Sequence, residues 1–213
     1  LIFVARNGEN SIAVASGANA RLAPADLQRA DAAFRRAAVV VLQLETPLPT
    51  VTAAVKLAAR AGARVILNPA PARPLPASLL RHVYLLTPNE SEAQLLTGMA
   101  VHSEAAAARA ADALLARGVQ NVILTLGARG AFVAGPQARG RVPGFKVRPV
   151  DTTGAGDVFN GALAVALAEG KPLLEAARFA NAAAALSVTR LGAQTSAPTR
   201  GEIDRRLAAA RSN

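Results

Sequence analysis

The sequence contains no cysteine and no tryptophan, and aromatic residues make up only 3% of its 213 positions. Without cysteine there is no disulfide framework, no thiolate nucleophile and no zinc-finger site. The only two histidines, His82 and His102, follow neither a metal-ligand spacing nor a nucleophile pattern, and read as surface or packing residues. No apolar run reaches the roughly 18 residues of a membrane span. Acids are also scarce, 14 against 24 basic residues, for a formal net charge of +10. That excess alone would suit nucleic acid. The basic residues are nearly all arginine, however, scattered singly and no denser than the pairs Arg35–Arg36 and Arg205–Arg206. There is no basic run and no interleaved aromatic set to stack on bases. Neither nucleic acid nor membrane is expected as a partner.

What is present is apolar and periodic. The chain is 52% hydrophobic, enough for one sizeable core. Two short alternating stretches, LIFVAR and SIAVAS, flank Asn7-Gly8, a strong hairpin signal. From about residue 24, helical patterns alternate with apolar runs. A helix over 24–37 leads to AVVVLQL (38–44), and one over 50–61 leads to RVILN (64–68). YLLT (84–87), helices near 89–97 and 103–117, NVILTL (121–126) and AFVAG (131–135) follow, and three helices fill 155–211. Continuous apolar runs between helices predict strands buried on both faces, hence an α/β fold with a mostly parallel sheet. The early hairpin stands outside that alternation. It reads as a small flap over 1–17, with the α/β core over 18–213. The sequence opens on Leu1 inside an apolar run, which suggests a piece of a longer chain.

Residues 150–162, VDTTGAGDVFNGA, carry the sharpest chemistry. A glycine-rich turn that opens a helix presents unpaired N–H groups and the positive end of the dipole, an anion site. It is not a P-loop, which needs Lys-Ser/Thr after its second glycine. It is not GxGxxG either, because Phe159 takes the third glycine's place. A carboxylate at such a mouth, Asp157, costs electrostatic energy unless it has chemical work. Taking the proton of a hydroxyl that attacks phosphorus is such work, with the N–H groups of Gly154, Ala155, Gly156 and Asp157 holding the developing charge. The plain alternative is a helix cap.

DTTGAGDVFNGA resembles the signature of the ribokinase-like (PfkB) carbohydrate kinases. GENSIAVASGANARL, LQLETPL, LNPAPARPLP, TPNESEAQLLTG, LTLGARGAF and VTRLGAQTS are similar to the ribokinase branch of that family, in order and over nearly the whole chain. The resemblance implies a Rossmann-like α/β kinase core with a β lid. It implies ATP-dependent phosphorylation of a sugar such as D-ribose, with Asp157 as base and the GAG backbone as anion hole. It further implies Mg²⁺, a monovalent cation such as K⁺, a cytoplasmic enzyme and a homodimer formed through the lid.

Other stretches take roles from the same resemblance. Asn89 and Glu92, in Thr87-Pro88-Asn89-Glu90-Ser91-Glu92, have capping-box spacing on their own account. The resemblance adds nucleotide phosphates for Asn89 and Mg²⁺, through water, for Glu92. Thr125, Gly127, Ala128, Arg129 and Gly130 form a turn between apolar runs, and the resemblance sets them against the nucleotide, with Asn181 towards adenine. Glu45 ends a buried strand, where open α/β sheets bind ligands, and the resemblance gives it to the sugar. Asp151, Thr153, Arg190, Gly192 and Ser196 correspond to loops that hold the monovalent cation, mostly by carbonyls. The family's upstream glycine-rich sugar motif, with its sugar-gripping Asp, does not occur, so the fragment alone is expected to be inactive. Another sugar or nucleoside kinase of the family, a deoxyribokinase or fructokinase, is the nearest alternative. A truncated, non-catalytic nucleotide-binding domain is the alternative of a different class.

Overall fold

The computed structural model describes residues 2–4 and 10–210. Two compact units divide the chain. One comprises Ser16–Leu126 and Ala131–Arg141; the other comprises Leu1–Ala15, Gly127–Gly130 and Val142–Asn213.

The six-stranded sheet follows chain order, β3 (Val39–Leu42), β4 (Arg64–Leu67), β5 (Leu85–Leu86), β6 (Asn121–Thr125), β7 (Gly130–Ala134) and β8 (Arg139–Pro143). Strands β3 to β6 pair in parallel, with Val40 opposite Val65, Ile66 opposite Leu85 and Leu86 opposite Val122. β6 and β7 are antiparallel, Leu124 facing Phe132. The expected mostly parallel α/β sheet is therefore the observed one. Its helices are α1 (Asp31–Arg36), α2 (Leu48–Arg60), α3 (Ala77–Leu80), α4 (Glu90–Thr97) and α5 (Glu104–Ala116). Their apolar faces, Val51, Val55 and Ala58 of α2 and Ala107, Ala111 and Leu114 of α5, join Val65, Leu67, Leu86 and Leu124 of the sheet in one core.

Three local expectations are corrected. β3 is not buried on both faces: it ends the sheet, and Val41 is exposed. The helix expected over 24–37 is a 3₁₀ stretch, Pro24–Ala30, followed by the short α1. Ala30 leaves helical geometry at φ −100° and ψ 4°. β8 was not expected, because RGRVP buries only Val142 and so offers almost no apolar period.

In the second unit, α6 (Ala155–Ala168), α7 (Leu173–Ser187) and α8 (Arg200–Ala209) pack on one another. Small residues of α7, Ala176, Ala180 and Ala183, are buried, as are Phe159 and Leu163 of α6. Such small residues let helix axes approach closely. β1 (Ile2–Val4) and β2 (Asn10–Ile12) pair antiparallel, with Phe3 opposite Ser11. The Asn7-Gly8 turn lies outside the described residues. Among the described residues no helix is long and apolar enough to cross a membrane.

Candidate active site

The GAGD turn starts α6. Gly154 is its N-cap, at φ 74°, in the left-handed region that glycine adopts without strain. Its carbonyl accepts the Val158 N–H at 2.9 Å, and no side chain caps the helix. The N–H groups of Gly154, Gly156 and Asp157 meet no acceptor among the described residues. Ala155 corrects the four-donor expectation, since its N–H donates to the Thr152 carbonyl at 3.2 Å. A Cβ on Gly156 would have no atom of the described residues within 4 Å. Free first-turn donors and the dipole end are the elements an anion site requires.

Asp157 sits at the third position of the helix and caps nothing. The residue is exposed, and its carboxyl has no hydrogen-bond or ion-pair partner among the described residues. Protein crowded against one side of it raises its pKa above the ordinary carboxylate value. An unpartnered carboxylate with raised basicity beside empty donors suits proton abstraction better than capping. A cleft of about 630 Å³ opens beside it, with Val158, Ala162 and Val165 of α6 and Ile203 of α8 in its walls.

Just upstream, Asp151 is 5% exposed and joins two loops. Its oxygens accept the Thr153 N–H and the Gly192 N–H, each at 2.9 Å. The neighbouring Thr153 hydroxyl, then the Gly192 and Thr153 amides, hold its pKa below the usual value. That hydroxyl stops short of hydrogen-bond geometry: Thr153 Oγ1 is buried without a partner among the described residues. Ser196, also buried, donates to the Ala193 carbonyl at 2.9 Å. The Arg190 guanidinium is taken by Glu202, whose pKa it brings down to about 2. Arg190 can thus offer a cation only its backbone carbonyl. An all-oxygen set with one buried carboxylate and one orphaned hydroxyl fits a hard cation.

The turn after β6 is built by close approach. Gly130, at φ 96°, would place a Cβ 2.2 Å from the Val142 carbonyl oxygen. Gly144 would place one 2.3 Å from the Ala128 carbonyl oxygen. Gly127, at φ 54°, has no neighbour over it among the described residues, whereas Ala128 and Arg129 form the 3₁₀ turn between the two glycines. Asn181, buried on α7, donates to the Val142 carbonyl at 3.1 Å and to the Pro143 carbonyl at 3.3 Å. Its amide hydrogens therefore hold the end of β8, leaving the Oδ1 acceptor.

In the sheet unit the capping box is fully formed. Asn89 Oδ1 accepts the Glu92 N–H at 2.8 Å, and Glu92 Oε2 accepts the Asn89 N–H at 2.8 Å. Asn89 Nδ2 also donates to Glu92 Oε1, at 2.9 Å. Glu92 is 7% exposed, and burial raises its pKa against the lowering effect of the Asn89 N–H. Both of its oxygens are engaged, and among the described residues no three acidic or histidine groups cluster for a metal. A carboxylate held in this way keeps lone pairs that could accept from the water shell of a hydrated Mg²⁺. The Thr125 N–H donates to the Pro88 carbonyl at 2.9 Å, which ties the end of β6 to the start of that helix. Glu45 is exposed just past β3, and Leu44 beside it is anchored by Ala70 and Arg73.

The one buried polar residue of α6 was not singled out from the sequence. Asn160, on α6, donates its side-chain amide to the Gly156 carbonyl at 2.9 Å. Within FNGAL nothing distinguishes it from a solvated helix residue.

Residues 1–200 match the family "pfkB family carbohydrate kinase". The chain is 46% identical over 201 residues to a ribokinase of Haemophilus influenzae, covering 94% of this chain and 66% of that protein. It superposes on a ribokinase of Thermotoga maritima with a TM-score of 0.85 at 40% identity, over 97% of this chain and 68% of the other. It also superposes on Arabidopsis thaliana ribokinase complexed with ribose and ATP, with a TM-score of 0.83 at 35% identity, over 97% and 67%. The chain spans about two thirds of the length of these relatives.

Proposed function

The chain belongs to the pfkB family of carbohydrate kinases, and from that membership we propose that it is the nucleotide-side portion of a ribokinase, which converts ATP and D-ribose to ADP and D-ribose 5-phosphate. The observation that carries this reading is the Asp157 carboxyl beside the N–H groups of Gly156 and Asp157, all without partners among the described residues. Asp157 takes the proton of the ribose 5-hydroxyl as that oxygen attacks the γ-phosphorus. The new P–O bond forms as the bond to the β-phosphate's bridging oxygen breaks, and ADP leaves. The amides of Gly154, Gly156 and Asp157 bind the charge that builds on the transferred group.

Glu92 would hold Mg²⁺ through water, and the ion supplies neutralisation of phosphate charge. The carbonyls around Arg190, Gly192 and Ser196, with Asp151 and Thr153 behind them, would hold a monovalent cation that stiffens the loops beside the anion hole. Gly127 and the neighbouring turn of Ala128, Arg129 and Gly130 serve the nucleotide, as do Thr125, Asn89 and the Oδ1 acceptor of Asn181. Glu45 serves the sugar.

The test is ADP release by the full-length protein supplied with ATP, Mg²⁺, K⁺ and each of D-ribose, 2-deoxyribose and fructose. Ribose-dependent release that Asp157→Asn abolishes is expected. Preference for another sugar would change the substrate. Near-normal turnover by Asp157→Asn would remove the assigned base.

A further inference from the structure

Asn160 is 5% exposed, and its side-chain amide donates to the Gly156 carbonyl at 2.9 Å, four residues back along α6. The helical ladder already assigns that carbonyl to Asn160's own N–H. A second donor on the same oxygen therefore does not complete an otherwise unsatisfied acceptor. Its effect falls on the peptide unit. The Gly156 carbonyl and the Asp157 N–H belong to one amide plane, and that N–H has no acceptor among the described residues. A donor placed on a carbonyl draws electron density through the amide and makes its N–H a stronger donor, because hydrogen bonds polarise one another along a chain. The same bond fixes the tilt of the plane, and so the direction in which the Asp157 N–H points.

We propose that Asn160 is a positioning residue, which aims and polarises the Asp157 amide toward the transferring phosphoryl group. This rests on the anion-hole reading above. Asparagine is a poor helix former, and side chains that bond back to the i−4 carbonyl slightly weaken a helix. An apolar residue would serve packing better at this buried position. One of its bonds reaches the turn that opens α6.

The full-length protein as wild type, Asn160→Ala, Asn160→Leu and Asn160→Ser provides the test. Two readouts are taken: kcat with KM for ATP, and the Asp157 amide ¹H–¹⁵N position with and without inorganic phosphate. The second is read whether or not any sugar is turned over. Alanine and leucine remove the donor, leucine at nearly constant volume, whereas serine can still bond to the i−4 carbonyl. The expected result is a kcat about tenfold lower in Ala and Leu, with KM for ATP within about threefold. That loss is a fraction of the effect of deleting an oxyanion donor outright. The phosphate-induced shift of the Asp157 amide should shrink in both, and serine should restore most of both quantities. Wild-type kcat in Ala or Leu, or an undiminished phosphate shift, would overturn the proposal. So would failure of both to fold, which would mark the bond as purely structural. Absence of turnover in the wild type would remove the kinase reading, while the phosphate shifts still decide the role of Asn160.

Discussion

Gly130 and Val142 touch backbone to backbone: a methyl group on the glycine would lie 2.2 Å from the valine carbonyl oxygen. Gly130 also holds φ at 96°, where a side chain is strained whatever the space. Gly156 is the opposite case, with no atom of the described residues within 4 Å of an added Cβ and a place in the first turn of α6. Gly130→Ala should therefore destabilise the fold by more than about 2 kcal/mol. Gly156→Ala should leave it as stable or more so, by up to about 1 kcal/mol, because alanine is the better helix former. Yet Gly156→Ala should lower turnover at least about tenfold, since the methyl group occupies the face offered to phosphate. Urea midpoints and kcat measured on both variants separate the two glycines. A fully active Gly156→Ala would empty the anion hole of its role.

The raised pKa of Asp157 has a kinetic and a thermodynamic consequence. A base works only when ionised, so kcat/KM should fall as pH drops through a value above the ordinary carboxylate range. For stability the sign is opposite to the usual one for an acid. The folded pKa lies above the unfolded one, so this contribution is fully present below the unfolded pKa and is lost as pH rises through the folded pKa. Asp157→Asn should thus be at least as stable as the wild type at neutral pH while losing turnover. A variant that loses both equally would indicate a structural carboxylate.

Legibility in the sequence followed the range of the interactions. VVVL, RVIL and NVILT announced buried strands because a parallel sheet covered on both sides needs unbroken apolar runs. β3 departs from this because a sheet end has a neighbour on one edge only, and no local pattern says which strand is last. The capping box of Asn89 and Glu92 was legible, being a contact over three residues. The hold of Asn181 on β8 spans 39 positions and leaves no local trace. The diversion of the Ala155 N–H to Thr152 depends on a loop conformation that the letters TTGAG do not dictate.

Asn89 and Glu92 should prove stabilising as a pair. Asn89→Ala removes the acceptor for the Glu92 N–H and the Nδ2 donor to the Glu92 carboxylate, leaving a buried acid held by one amide. A cap loss of about 1 kcal/mol is expected, together with a further rise of the Glu92 pKa. Both follow from thermal melts and carboxyl NMR titration. A variant with an unchanged melting temperature would contradict the capping role.

Strong acid should loosen the Arg190 loop. Glu202 titrates at about 2 in the fold, against an ordinary value of 4.5, through the Arg190 guanidinium first and then the Thr199 amide and hydroxyl. Its stabilising contribution is present above the ordinary value and is lost as pH falls through the folded one. Across that acid window the wild type should lose more melting temperature than Glu202→Gln. Parallel melting curves for the two proteins would show that the pair contributes nothing.

Asp151 supplies the sharpest test of the cation loops. Its two oxygens each receive a backbone N–H, from Thr153 and from Gly192, so it can fix both loops only as an ionised acceptor. The substitution Asp151→Asn would turn an amide N–H₂ against one of those donors, a clash between like groups that opens one loop. The orphaned Thr153 hydroxyl and the carbonyls around Gly192 would then lose their common geometry. In the full-length protein, wild-type turnover should rise on replacing choline with K⁺, at constant ionic strength. Asp151→Asn should be slower and no longer respond to the exchange, although its affinity for ATP changes little. If the variant kept the wild-type response to K⁺, the cation would have to be bound elsewhere, and Asp151 would be a loop tether only. If the wild type itself did not respond, the oxygen set around Gly192 would serve the anion hole without an ion, through the Asp151 bridge alone.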